Sequence, residues 1–376
     1  MSVPYHRLFR VHPRWRWWRP LVAIAIFLGL YLVSQVLVSV GFFAPIVATS
    51  GIEGLRKFST TLQKDALTST DPVVIGLTLA SLVLLLPAIM WAVKLARLGP
   101  FGQLSSIRLR IRWRWLAACL LPLLVLAVVT VGIQSFGYFA FDGGLHWNHA
   151  AIGQSTVTMQ TLVVMLVMVI VLVPFQAAAE EYIFRGFVMQ AIGSWTRTPW
   201  VGIGVSTIVF ALLHLPNGYD IWGILDVGSF GLIAALIVWR TGGLEAGILA
   251  HALNNTVIFV LQAPGWSRVD RSSSDSTWQG VLVTVGTLAL YWLMIEGMAR
   301  WTKLERRRPG TEAPRFVGPV PPWAGSATGE TPADGWDGAP EAAGAPRHDA
   351  GPLQDAGPAR TVHSGARADD AVGGRP

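Results

Sequence analysis

Charge is scarce in this chain. Asp, Glu, Lys and Arg make up 14% of its 376 residues, where a water-soluble globular domain carries roughly 25%, so water is not the main solvent of most of the sequence. Cysteine is scarcer still. The single Cys119 excludes an intramolecular disulfide framework and a cysteine-based zinc site, and its place inside an apolar run assigns it to packing. No internal repeat is visible, which counts against an inverted-repeat transporter. A removable signal peptide is not expected either, because the first apolar run, Leu21 to Phe43, is longer than a signal core and lacks a clear cleavage site; it reads as a membrane span.

What the chain does have is apolar length and tryptophan. Hydrophobic residues make up 52%, and 17 Trp are present, many of them where an apolar run meets basic residues, as at Trp15, Trp17, Trp18, Trp113, Trp115, Trp195, Trp200, Trp239 and Trp301. That is the aromatic belt of a bilayer protein. Residues 1–311 hold 13 acids and 24 bases, residues 312–376 hold 9 and 5. The excess of bases therefore belongs to the apolar part, where it sets topology or meets anionic lipid, and nucleic acid is not an expected partner.

A helix needs roughly 20 apolar residues to cross a bilayer core. By that ruler eight runs qualify, near 21–43, 72–96, 115–140, 158–191, 200–216, 222–239, 243–262 and 278–299. The expected fold is an all-α, polytopic membrane helix bundle of about eight transmembrane spans. Arg7, Arg10, Arg14, Arg16 and Arg19, then Lys94, Arg97, Arg108, Arg110, Arg112 and Arg114, then Arg197 and Arg240, mark alternate connections as cytoplasmic. Both termini should then lie in the cytoplasm of a multi-pass plasma-membrane protein. The expected divisions are a basic N-terminal segment (1–20), spans one to three (21–156), a second membrane domain (157–304) and a disordered Pro/Gly/Ala-rich tail (305–376), whose composition cannot offset its ordering entropy.

Ionisable groups deep in a span cost about 2.5–3.5 kcal/mol each on insertion scales and need an explanation. Span four contains Gln176-Ala-Ala-Ala-Glu180-Glu181-Tyr-Ile-Phe-Arg185. Glu181 and Arg185 share a helix face and can pair, whereas Glu180 points about 100° away. Vicinal carboxylates in a low dielectric raise the proton affinity of at least one of them, as a general base requires. Span five places Gly202, Ser206, Phe210 and His214 at steps of four. Span seven does the same with Gly243, Gly247, His251 and Asn255. Small residues let helices approach closely, so both stripes should face protein and carry His214, His251 and Asn255 inward. A helical rise of roughly 1.5 Å per residue puts Glu180, His214 and Asn255 about 18–21 Å from the expected cytoplasmic ends. Asp226, Glu245 and Glu296 read as helix-end, interfacial or locally paired residues, and Asp142, His146 and His149 as a solvated external loop.

Glu-Glu-x-x-x-Arg, Phe-x-x-x-His and His-x-x-x-Asn, on successive polar spans in that order, resemble the CPBP family, which contains the type II CAAX prenyl proteases and the bacteriocin-processing (abortive-infection) proteins. The resemblance covers roughly residues 160–260. It implies that Glu180 activates a water with His214, that Glu181 and Arg185 organise the site with Phe210 beside them, and that His251 and Asn255 stabilise an oxyanion. It also implies an intramembrane endopeptidase acting on a membrane-embedded, lipid-anchored or prenylated peptide or protein. Glu180, His214 and His251 could hold zinc with a water in the remaining position, yet the helical His-Glu-x-x-His spacing of zinc proteases is missing. The residues leave the metal open and favour the metal-independent reading slightly. A proton-coupled transporter and a non-enzymatic immunity or scaffold protein are the alternatives, and a bacterial precursor or membrane-anchored regulator is as reasonable a substrate as a prenylated one.

Overall fold

The computed structural model describes residues 2–65, 70–136, 155–264 and 278–312. Asp142, His146, His149 and the tail beyond residue 312 lie outside them. Helices dominate. α1 spans Arg19–Asp65, and its backbone leaves helical geometry at Gly51 (φ 67°, ψ −167°), a conformation that glycine adopts without steric penalty. α2 (Pro72–Val83) and α3 (Leu85–Leu95) form one run broken at Leu84. Pro87 follows four residues after Val83 and has no N–H to give its carbonyl, so the break falls where the hydrogen-bond ladder must fail. The same logic separates α4 (Trp113–Ala118) from α5 (Leu120–Phe136) at Cys119, because Pro122, four residues after Ala118, has no N–H to give its carbonyl.

α6 (Met159–Glu181) passes through a π-helical turn, Tyr182–Val188, into α7 (Met189–Trp195). Then follow α8 (Pro199–Leu212), α9 (Ile221–Thr241), α10 (Glu245–Gln262) and α11 (Trp278–Trp301). Their ends carry the expected caps: Thr198 accepts from the N–H of Trp200, Asp220 from that of Gly223, and Gly242 closes α9 in the left-handed conformation (φ 72°).

Among the described residues each of the eight apolar runs is helical over most of its length, and the chain is an all-α membrane bundle. Five helical stretches are long and apolar enough to cross a membrane by length and composition: 19–60, 72–95, 159–195, 221–241 and 278–301. α5 and α8 are shorter apolar helices, while α10 carries Glu245, His251, Asn254 and Asn255. Polarity is tolerable in α10 because its polar face meets α6 and α9 rather than lipid. The outer faces of α1 and α5 are lined by exposed Leu28, Leu32, Val36, Leu37, Leu121 and Val128, as hydrocarbon solvent allows.

One expectation is corrected. Residues 305–312, assigned to the disordered tail, are part of the packed structure: β2 (Arg307–Pro309) pairs antiparallel with β1 (Ser2–Pro4), and Glu312 pairs with Arg7. The N-terminal segment is equally ordered. Tyr5, Leu8 and Phe9 are buried, and Arg7 donates to the carbonyls of Gly193 and Thr196 at the end of α7, a favourable place for a cation. Average composition hid these specific pairs.

Candidate active site

Three helices build the site. α6 ends in Glu180 and Glu181, α10 supplies His251 and Asn255, and α8 supplies Phe210 just before the turn that holds His214. α6 and α10 can approach because residue 247 is glycine: a Cβ there would lie 3.1 Å from Oε2 of Glu181. The π-turn begins immediately after the two carboxylates. Such turns insert a residue into the helical ladder and recur at functional sites; here it carries Arg185, whose Nη1 donates to Oε1 of Glu181 at 2.8 Å. Both side chains are fully buried.

His251 joins the two carboxylates. Its Nδ1 lies 2.9 Å from Oε1 of Glu181, and its Nε2 lies 3.4 Å from Oε2 of Glu180. Carboxylates only accept, so this pair of partners is complementary to a ring carrying both protons, or to one proton shared with Glu180. With Arg185, a protonated His251 balances the two carboxylates, and a neutral cluster is far less costly to bury than an isolated charge.

Aromatic rings close the cluster. Arg185 stacks on Phe210, with its guanidinium carbon 4.3 Å from the ring centroid. Phe210 and Phe230 both present rings to His251 at 6.0 and 4.8 Å. Phe210 therefore touches three of the polar members at once, since the His214 ring also lies 4.7 Å from it.

His214 sits at the edge of the site and differs from expectation in one respect. It lies beyond the end of α8, at the start of a short 3-10 turn. Its Nδ1 donates to the carbonyl of Phe210 at 2.8 Å, because a carbonyl can only accept, and this leaves Nε2 with a free lone pair in the neutral ring. Among the described residues no hydrogen bond joins His214 to either carboxylate.

Gln176, at the head of the polar run in span four, is a further member of the cluster. It is buried and sits one turn before Glu180, to which its amide N–H₂ donates. That fixes the amide orientation, so its Oε1 must accept, and it does, from Nδ2 of Asn255 at 3.0 Å. A continuous chain of contacts thus runs Asn255, Gln176, Glu180, His251, Glu181, Arg185. Spacing could have pointed to Gln176, since it precedes Glu180 as Glu181 precedes Arg185. Phe230, on α9, belongs to no motif and had no such signal.

Among the described residues no group of three or more His, Cys, Asp or Glu could hold a metal ion. Glu245 and Glu296 are locally paired as expected: Glu245 is buried against Arg112 at 2.7 Å, and Glu296 binds Arg240 and Arg306. Asp226 has no ion pair among the described residues, and its Oδ1 is buried without a hydrogen-bond partner.

The three motif-bearing elements fall inside one stretch of chain. Residues 160–257 match the Rce1-like family of type II CAAX prenyl endopeptidases. The matched Rce1-like segment runs from the start of α6 to two residues beyond Asn255, and so contains every member of the cluster. An uncharacterized protein of Bacillus subtilis (strain 168), YyaK, is 24% identical over 244 residues, which cover 63% of this chain and 75% of that protein. No solved structure matches the chain. The chain is an integral membrane protein with an Rce1-like segment, in keeping with the motifs.

Proposed function

We propose that the protein is an intramembrane endopeptidase that hydrolyses a peptide bond in a membrane-embedded, lipid-anchored or prenylated substrate. The observation that carries this reading is the buried Glu180–His251–Glu181–Arg185 cluster within the Rce1-like segment. A structural ion pair alone accounts for Glu181 and Arg185. It does not account for a second carboxylate, Glu180, which is left partly accessible beside an amide and an imidazole.

The chemistry requires an acceptor for a water proton and donors for the developing oxyanion. Glu180 and the free Nε2 of His214 supply acceptors. The water oxygen attacks the scissile carbonyl carbon as its proton passes to Glu180, and the carbonyl oxygen gains the negative charge. Nε2–H of His251 and the second amide hydrogen of Asn255 are the donors for that oxygen. Collapse of the tetrahedral species breaks the C–N bond, and the proton held by Glu180 goes to the leaving amine. Glu181 and Arg185 act through His251, fixing its ring. The reading is metal-independent, and every step is carried by the chain's own side chains.

We place the chain in the plasma membrane with both termini cytoplasmic, on the strength of the alternating basic connections. The direct test of function is purification in detergent followed by cleavage assays on a library of lipidated and unlipidated peptides, with Glu180→Ala as control. Cleavage by the wild type and none by the variant is expected. A wild-type protein that cleaves no peptide in either class would favour the scaffold or transporter reading.

A further inference from the structure

A second polar feature lies away from the cluster, at the end of the bundle where α4 begins and α11 finishes. Here Arg108, residues 110–115, Ala118 and residues 302–305 line a cleft of about 1040 Å³, a size typical of small-molecule sites. Its lining is strongly cationic. Arg112 is committed to the buried Glu245, and Arg108 pairs with Glu305 at the surface. Arg110, Arg114 and Lys303 remain, all exposed, with no ion pair among the described residues. Lys303 is held in a left-handed backbone conformation (φ 50°), unusual for a residue with a side chain.

Aromatic and apolar side chains specify what such a cleft would take. Trp115 lines it and is buried to 4% exposure. Trp113, also in the lining, is 72% exposed, and Leu120, Leu121 and Leu124 continue along α5 as exposed apolar side chains. A cationic cleft thus leads directly onto an apolar strip at an aromatic interface, the arrangement of headgroup and acyl chain. A free phosphate would use the cations and leave the strip unexplained.

We propose that this cleft binds an anionic phospholipid of the leaflet on that side, its phosphate among Arg110, Arg114 and Lys303 and its acyl chains along the leucines of α5. The binding is independent of the proposed proteolysis. Each cation near an anionic headgroup strengthens attraction roughly fivefold, so removing three weakens it on the order of 100-fold.

The test is native mass spectrometry of the full chain in detergent, titrated with phosphatidylglycerol or phosphatidylcholine. Preferential retention of phosphatidylglycerol is expected, with about 100-fold loss in Arg110→Gln/Arg114→Gln/Lys303→Gln. Little loss is expected in the control Arg14→Gln/Arg16→Gln/Arg197→Gln, which removes the same charge from other exposed positions. Should the first triple variant aggregate, Arg110→Gln and Arg114→Gln singly should each cost about fivefold. Equal binding of the two lipids, equal losses in both triple variants, or displacement of phosphatidylglycerol by inorganic phosphate at the same concentration would overturn the proposal.

Discussion

His251 is hydrogen-bonded to Glu181, with Nδ1 2.9 Å from Oε1, and this contact links the motif on α10 to the motif on α6. It gives Glu181 two partners, since Arg185 binds the same oxygen. In the proposed mechanism the two acidic neighbours have different duties, one structural and one chemical. Their separation can be measured.

Glu181→Gln removes the charge that matches fully buried Arg185. Breaking one partner of a buried pair costs about 3–5 kcal/mol, so the variant should lose thermal stability in detergent by many degrees. Glu180→Gln, whose side chain is 12% exposed, leaves the buried Glu181–Arg185 pair intact, keeps an amide oxygen to accept from Gln176, and should melt close to the wild type. Equal melting temperatures for the two variants would show that the division of duties is wrong.

Gln176 is expected to act by positioning. Gln176→Leu keeps volume while cutting the links to Glu180 and Asn255, each worth about 1 kcal/mol. The expected result is a fall in kcat of roughly tenfold to a hundredfold with KM little changed. A change confined to KM would place Gln176 in substrate binding instead.

The three motifs were legible because each is a spacing on one helix, and spacing fixes faces. Gly247 and His251 are buried, as the four-residue stripe requires. What spacing does not fix is which partner a side chain meets across helices. His251 and Asn255 looked alike in sequence, yet one turns to two carboxylates and the other to Gln176. The π-turn after Glu181 was likewise invisible, since no residue type announces an i→i+5 bond. The eight apolar runs were readable as helices, but the packing of residues 305–312 was not, because it depends on Arg7 meeting Glu312 across 305 positions of chain.

That N-terminal pairing predicts a boundary. Truncation after Glu312 should leave a monodisperse, folded protein, whereas truncation after Arg306 removes β2 and the partner of Arg7, and should lower the melting temperature measurably. A loss of folding on cutting after Glu312 would show that residues 313–376 contribute to the membrane domain.

The same region should sense acid. Burial drives His6 down from 6.5 to about 4, its Nε2–H meanwhile donating to the carbonyl of Arg197. The unfolded chain then binds the extra proton first, so stability falls as pH drops from 6.5 towards 4, by at most about 3 kcal/mol. Glu312, held below its usual range by its hydrogen bonds to Arg7, contributes stability that is present above its unfolded value and is lost as pH falls through its lowered value. Melting temperature followed against pH should show a decline below 6.5 that His6→Gln flattens. An unchanged profile in His6→Gln would remove His6 as its cause.

Exhaustive chelation should leave proteolysis intact, because no step of the proposed mechanism uses a metal. Activity lost on chelation and restored by zinc would require Glu180, His214 and His251 to gather around a metal in the working enzyme.

Glu180 is the base in the proposed mechanism. In Glu180→Gln the side chain keeps its size and polarity but cannot take a proton, and turnover should fall by about 10²–10⁴ with the fold intact. Asn255→Ala should lower kcat by about 10²–10³, and the double variant should be little worse than Glu180→Gln, because groups serving one step do not add. The measurement is the cleavage rate of a membrane-anchored peptide by purified Glu180→Gln at matched melting temperature: a rate at least a hundredfold below wild type is predicted, and wild-type-like cleavage would contradict the assignment.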